Sequence, residues 1–196
     1  MRNVGRLVVL GLFLAILARA QTAKPADEVW AIRAGTLLDG RSEQPLHDKA
    51  IIIRGNRIEA VIDASALASR NIARVVNFAP TITVMPGMIE SHTHIFLQGE
   101  DPAKGGYDVN ILKYPLAYRA ARATVSARRL LEQGFTTARD VETEGAGYGD
   151  IGIRDAINDG WIPGPRLFVV TKALSTTGGY PLEGYAPELD LPKGAQ

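Results

Sequence analysis

The alternation of apolar and polar positions divides the chain into an extended first part and a second part in which strands and helices alternate. Between residues 29 and 84 the apolar positions form short runs rich in β-branched residues, at 29–34, 50–54, 57–62, 74–78 and 81–84. Runs of this length and composition are typical of β-strands. The pattern therefore predicts a small β domain over residues 29–84.

The strongest turn signal in this domain is the pair Gly55-Asn56, which separates the runs 50–54 and 57–62. Glycine and asparagine both tolerate the positive φ angles that a tight hairpin turn requires. The two runs are therefore predicted to pair as an antiparallel hairpin.

After Met85 strand-like and helix-like segments alternate. Strands are predicted over residues 88–96, 135–140 and 166–171, and helices over 114–133 and 151–158. Pro115 suits the first turn of the long helix, and Gly134 and Gly160 stand where helices commonly stop in a left-handed conformation. Strands that alternate with helices indicate βαβ units and a parallel sheet. Residues 85–196 are thus expected to be α/β.

The long predicted helix carries four arginines. Helices in globular proteins usually turn their charged face to water, which argues against a buried anion site. The arginines expected on this solvated outer face are Arg119, Arg122, Arg128 and Arg129.

The N-terminus has the pattern of a secretory signal. Arg2 and Arg6 precede a nearly unbroken apolar run over residues 7–18, and Ala18-Arg19-Ala20 fits the small-x-small cleavage rule. This predicts a signal peptide over residues 1–20, a polar lead-in over 21–28, and an exported protein, periplasmic or secreted. The apolar run is shorter than the ~20 residues of a spanning helix, so no stable membrane span is expected after cleavage. An uncleaved N-terminal anchor is the alternative.

Composition excludes several classes of function. The chain of 196 residues contains no cysteine, which excludes disulfides, cysteine metal ligands and thiol nucleophiles. Its formal charge is +1, but the first twenty residues hold three arginines and no acid, which leaves 19 basic against 21 acidic side chains. Nothing in this balance suggests a basic surface for nucleic acid.

His92 and His94 are the candidate metal ligands. Side chains two apart on a strand point to the same face, and their Cα atoms lie ~6.6 Å apart, so two imidazoles can converge on one ion. The predicted strand begins apolar and becomes polar at its C-terminal end, where parallel α/β folds build their sites. The alternative is a pair of histidines with local hydrogen bonds. His47, beside Asp48, is expected on the surface.

The segment around these histidines resembles a known family. Residues 84–94, Val-Met-Pro-Gly-Met-Ile-Glu-Ser-His-Thr-His, are similar to the segment that the amidohydrolase superfamily carries at the end of its first barrel strand. Further pieces resemble that family's small β domain and its second and third barrel strands, as in the imidazolonepropionase-like and Xaa-Pro dipeptidase-like branch. These supporting pieces are residues 35–40, 55–58, 134–140, 164–166 and 173–179.

The resemblance implies a fold and a chemistry. The fold is α/β, a partial TIM (β/α)₈ barrel of about the first three βα units over residues 85–196, preceded by a small β-sandwich domain over residues 29–84. In the family the barrel holds one or two divalent metals, usually zinc, which activate a water to attack a carbon–nitrogen bond. His92 and His94 match the first two metal ligands. The implied substrate is a small molecule or a dipeptide with an amide or cyclic amide bond.

The family's remaining catalytic residues have no counterpart in the sequence. They are a carboxylated lysine, two further histidines and an aspartate base, on later barrel strands. The chain is therefore expected to be the N-terminal part of a hydrolase, inactive in isolation. The alternative is a non-catalytic, degenerate fragment that binds metal weakly or docks on a full-length partner. A homo-oligomer is left open.

Three further residues are candidates for supporting the metal ligands or touching the substrate. Glu90, two residues before His92, either hydrogen-bonds a ligand or packs. Asp140, at the end of the second predicted barrel strand, either orients a ligand or acts as a cap or ion-pair partner. Tyr180 stands after Gly178-Gly179, where this branch more often has histidine, and is a candidate substrate contact.

Overall fold

The structure is a computed structural model that describes residues 28–72, 74–97, 99, 101–175 and 189–191. The predicted signal peptide, all but the last residue of the polar lead-in, and Tyr180 lie outside these residues. The protein is a mixed α/β chain that divides into two compact units between Pro86 and Gly87.

The first unit is built on one sheet of five strands. They are β1 (Val29–Leu37), β2 (Leu46–Arg54), β3 (Arg57–Asp63), β4 (Arg74–Asn77) and β5 (Thr83–Val84). The order is β3-β2-β1-β4, and β5 also pairs with β1. The first three strands are antiparallel, whereas β4 and β5 run parallel to β1. A 3₁₀ helix, Ala64–Ser69, follows β3.

The hairpin predicted from Gly55-Asn56 is confirmed. Gly55 has a φ of 57°, and Arg54 pairs with Arg57 across the turn. The core of this unit forms where Ala34, Leu37 and Ile51 pack together. His47 is exposed, as predicted.

The second unit is built on three parallel strands in the order β6-β7-β8. The strands are β6 (Met88–Thr93), β7 (Phe135–Asp140) and β8 (Arg166–Val169). Two helices, α1 (Gly106–Leu112) and α2 (Leu116–Glu132), lie between β6 and β7, and α3 (Gly149–Asn158) lies between β7 and β8. A 3₁₀ helix, Pro102–Lys104, precedes α1. The predicted alternation and parallel sheet are confirmed, whereas α1 was not predicted.

Helix α2 is defined by residues at both of its ends. Pro115 is its N-cap, one position outside the first turn in which the sequence placed it. Gly134 has a φ of 92° just past the C-cap, which is the left-handed stop that the sequence predicted.

The inner face of the helix is lined with small residues. Ala123 and Ala127 are fully buried and pack with Ala138 of β7 and Leu167 of β8.

Strand β6 differs from its prediction in length and in burial. The strand ends at Thr93, and His94 follows directly. The main-chain N–H of Leu97 donates to the carbonyl of His94, which closes a tight turn and ends the strand. Because β6 lies at the edge of the three-stranded sheet, its apolar start is exposed rather than buried, with Ile89 at 69% exposure.

The prediction for the arginines of α2 is wrong for Arg119, which is only 4% exposed. Arg122 is half-buried and donates to the side chain of Asn110. Arg128 and Arg129 are exposed, as predicted.

Within the described ranges, no helix combines the length and the apolar character needed to cross a membrane.

Candidate metal centre

The rings of His92 and His94 lie side by side at the carboxyl end of β6. Their centroids are 5.2 Å apart and their planes are inclined at 71°. His92 is exposed, and the side chain of His94 is 25% exposed. The two imidazoles are therefore close to each other and open to solvent, on the end of a parallel strand where α/β proteins build their sites.

One nitrogen of His94 is already engaged by the protein. Its Nδ1 lies 3.2 Å from the main-chain oxygen of Glu142 and 3.1 Å from Oε1 of Glu144. A carbonyl and a carboxylate both accept hydrogen bonds, so this arrangement favours a proton on Nδ1. The other nitrogen, Nε2, is then the one that offers a lone pair to an ion.

Glu90 contacts the backbone of a candidate ligand rather than its ring. Its Oε1 accepts a hydrogen bond of 3.0 Å from the main-chain N–H of His92. The contact fixes the main chain where β6 ends.

Asp140 is the last residue of β7 and is completely buried. Its Oδ1 accepts a hydrogen bond of 2.9 Å from the main-chain N–H of Ile95, and its Oδ2 has no hydrogen-bond partner among the described residues. Burial raises the pKa of this carboxyl to about 7. The nearby acids Asp150, Glu144 and Glu142 also raise it, against the opposing effect of the Ile95 hydrogen bond. Asp140 thus holds the segment directly after His94.

The loop after β7 contributes buried residues that the sequence did not predict. Glu142, Thr143 and Glu144 are all buried to 3% exposure or less. The hydroxyl of Tyr107, on α1, donates to Oε2 of Glu144. One sequence signal points to this loop. Glu142 and Glu144 follow the end of the parallel strand β7, just as His92 and His94 stand at the end of β6.

Arg119 explains why this loop stays in place. Its Nη2 donates to the main-chain oxygens of Phe96 at 3.4 Å, Thr143 at 3.1 Å and Glu144 at 2.6 Å. Burial lowers the pKa of the guanidinium, and the charge of Glu144 opposes that effect. The side chain therefore ties the segment after β6 to the loop after β7, the two segments that flank His94.

The imidazoles of His92 and His94 could supply part of a metal site. Catalytic zinc normally takes three protein ligands and a water. Among residues 28–72, 74–97, 99, 101–175 and 189–191, no three His, Cys, Asp or Glu side chains are grouped to hold an ion. The two imidazoles of His92 and His94 are one protein ligand short of such a site.

Comparison with known proteins places this geometry in a family. Residues 83–192, which include β6, both histidines and the loop after β7, match the amidohydrolase family. The chain belongs to the amidohydrolase family. The resemblance carried by residues 84–94 is thereby confirmed.

A curated relative of the chain is the ochratoxinase of Aspergillus niger. It is 32% identical to the chain over 166 residues, which are 84% of the chain and 32% of the relative. The chain thus spans about a third of the length of the curated relatives it matches.

Solved structures agree with this assignment. A Xaa-Pro dipeptidase with methionine bound in its active site superposes with a TM-score of 0.69 at 32% identity, over 78% of the chain and 36% of that protein. The crystal structure of the Aspergillus niger ochratoxinase superposes with a TM-score of 0.64 at 29% identity, over 79% of the chain and 33% of that protein.

Proposed function

We propose that the protein is a metal-dependent hydrolase of carbon–nitrogen bonds in which His92 and His94 are two of the metal ligands. The observation that carries the proposal is the pair of imidazoles 5.2 Å apart at the end of β6, in a chain of the amidohydrolase family. We propose zinc as the metal, because nitrogen ligands suit it and the family implies it.

The proposed fold completes this picture. We propose that β6, β7 and β8 with their helices are the first three βα units of a (β/α)₈ barrel. The single five-stranded sheet of the first unit would be one layer of the predicted β-sandwich domain. Three parallel strands with intervening helices support the barrel. His94 and Asp140 both lie at carboxyl ends of strands, the face on which such barrels carry their active sites.

In the proposed chemistry, each residue of the candidate site has a role. Zinc, when bound, would supply a Lewis acid that lowers the pKa of a water and polarises the scissile carbonyl. His92 and His94 would each present a nitrogen to the ion. The Glu142 carbonyl and the Glu144 carboxylate hold Nδ1 of His94, and Asp140 holds the main chain after it. The remaining ligands and the general base are proposed to come from outside the described residues.

The proposed substrate is a dipeptide or a small molecule with an amide bond. One relative is a Xaa-Pro dipeptidase, so an Xaa-Pro dipeptide is the first substrate to test. We further propose that residues 1–20 are a signal peptide that directs the protein out of the cytoplasm, on the sequence pattern alone.

The test is hydrolysis of a series of Xaa-Pro and N-acyl amino acid substrates by the complete protein. Activity should disappear on treatment with a chelator and return when zinc is added, whereas a His92→Ala variant should not recover. Hydrolysis that persists after the metal has been removed would contradict the proposal. Bound metal without hydrolysis of any amide would favour a non-catalytic metal-binding protein instead.

A further inference from the structure

Glu144 has an unfavourable backbone conformation for its residue type. Its φ is 52°, in the left-handed region, where a residue with a side chain is disfavoured. Gly145 and Gly147, close by in the same loop, also have positive φ angles of 75° and 62°, which glycine adopts freely. A loop that needed only a tight turn could have used glycine at position 144 as well.

The protein holds this conformation with a buried cation. Arg119 donates to the main-chain oxygen of Glu144 at 2.6 Å and to that of Thr143 at 3.1 Å. Both Arg119 and Glu144 are at most 4% exposed. Strained residues that persist under such constraints are concentrated at functional sites.

Both oxygens of the Glu144 carboxylate have partners. Oε1 lies 3.1 Å from Nδ1 of His94, and Oε2 accepts the hydroxyl hydrogen of Tyr107. The tyrosine contact restricts rotation of the carboxylate, so Oε1 stays directed at the imidazole. The strained backbone, the buried arginine and the tyrosine therefore act together to place one oxygen beside one ring nitrogen.

We propose that Glu144 is a positioning residue that holds His94 as its Nδ1–H tautomer and orients Nε2 towards the metal. The proposal rests on the proposed function, since it gives His94 a metal to bind. Carboxylates that accept the second N–H of a ligating histidine fix the ring and make it a better donor, and their loss typically lowers metal affinity ~10–100-fold.

A purely structural role for Glu144 makes different predictions. If the residue only shaped the loop, Glu144→Gly would relieve the positive φ and leave zinc affinity unchanged. If the residue positions His94, the same variant loses zinc affinity however well it folds. Glu144→Gln keeps the shape of the side chain but removes the charge, and Tyr107→Phe removes only the contact that restricts the carboxylate.

The first experiment determines the tautomer of His94 in the metal-free, complete protein. Long-range ¹H–¹⁵N correlation at alkaline pH distinguishes the two neutral forms of the imidazole. We expect Nδ1–H for His94 in the wild type, and a smaller Nδ1–H fraction in Glu144→Gln and Glu144→Gly, in which the main-chain oxygen of Glu142 is the remaining acceptor. Asp150→Asn is the matched control, because Asp150 is also fully buried but bonds the main chain of Ile151 and Thr171. This control should leave the tautomer of His94 as in the wild type.

The second experiment measures zinc affinity by competition with a chromophoric chelator. We expect the dissociation constant to rise ~10–100-fold in Glu144→Gln and Glu144→Gly, less in Tyr107→Phe, and little in Asp150→Asn. An Nε2–H tautomer in the wild type, or wild-type zinc affinity in both Glu144 variants, overturns the proposal. If neither Glu144 variant folds, the tautomer of His94 in the wild type and the zinc affinity of Tyr107→Phe test the proposal. A wild type that binds no zinc overturns the proposed function instead, while the tautomer still reports whether Glu144 fixes the ring.

Discussion

Oδ1 of Asp140 lies 2.9 Å from the main-chain nitrogen of Ile95 and accepts its hydrogen bond in a fully buried setting. The contact joins the last residue of β7 to the residue that follows His94. A carboxylate thereby fixes the main chain beside a candidate ligand without touching the imidazole. The position of His94 depends on two acids, Asp140 through the backbone and Glu144 through the ring.

Asp140 should make the stability of the metal-free protein depend on pH. Burial raises its pKa from the ordinary 3.8 to about 7, so the folded protein holds this proton more tightly than the unfolded chain. Between pH ~4 and ~7, raising the pH therefore favours unfolding, by up to about 1.4 kcal/mol per pH unit from this group.

The comparison that isolates this effect is urea unfolding of the wild type and Asp140→Asn at about pH 5, 6 and 7. The asparagine variant cannot ionise at this position. Its free energy of unfolding, measured relative to that of the wild type, should therefore increase as the pH rises. A difference between the two proteins that stays constant across this range would show that Asp140 does not titrate there.

Arg119 should be far more important for stability than the other arginines of α2. Arg119→Met keeps the length of the side chain but leaves three main-chain carbonyls without their donor, which should cost ~3 kcal/mol. Arg128→Met is the matched control, since Arg128 lies on the same helix in an exposed pair with Glu132, and should cost less than about 0.5 kcal/mol. Equal unfolding midpoints for the two variants would contradict the role assigned to Arg119.

Gly87 should not tolerate even a methyl group. A Cβ at this position would lie 2.1 Å from Oγ1 and 2.6 Å from Cβ of Thr136, so Gly87→Ala forces β6 and β7 apart and should cost ~1–3 kcal/mol. Gly152→Ala is the control. It lies within α3 with nothing near its Cβ position, so it should stabilise the protein by ~0.5–1 kcal/mol. Thermal unfolding of both variants measures the contrast, and a Gly87→Ala protein as stable as the wild type would refute it.

Elements with strong local signals were predictable from the sequence. The β2–β3 hairpin follows from Gly55-Asn56, and the end of α2 follows from Gly134, because both turns need positive φ angles that few residues adopt. Helix α1 lacked such a signal. It begins directly after Gly105 and is only seven residues long, too short for periodicity to reveal.

The paired histidines were predictable, but their support was not. His92 and His94 are two apart at the end of a strand, which is a local pattern. The sequence predicts an exposed Arg119 because a charged residue on a helix usually faces solvent. Its burial depends on main-chain carbonyls 23 to 25 residues away. Glu144 contacts His94, which lies 50 residues earlier in the sequence, from a loop that has no periodic pattern. Such contacts arise only when parallel strands bring their ends together.

Metal analysis of the purified complete protein tests whether His92 and His94 bind a catalytic metal. The wild type and a His47→Ala control, in which an exposed histidine of the first unit is lost, should each carry one or two equivalents of zinc. The double variant His92→Ala/His94→Ala should carry none while remaining folded by circular dichroism. Equal zinc content in all three proteins would show that His92 and His94 are not metal ligands.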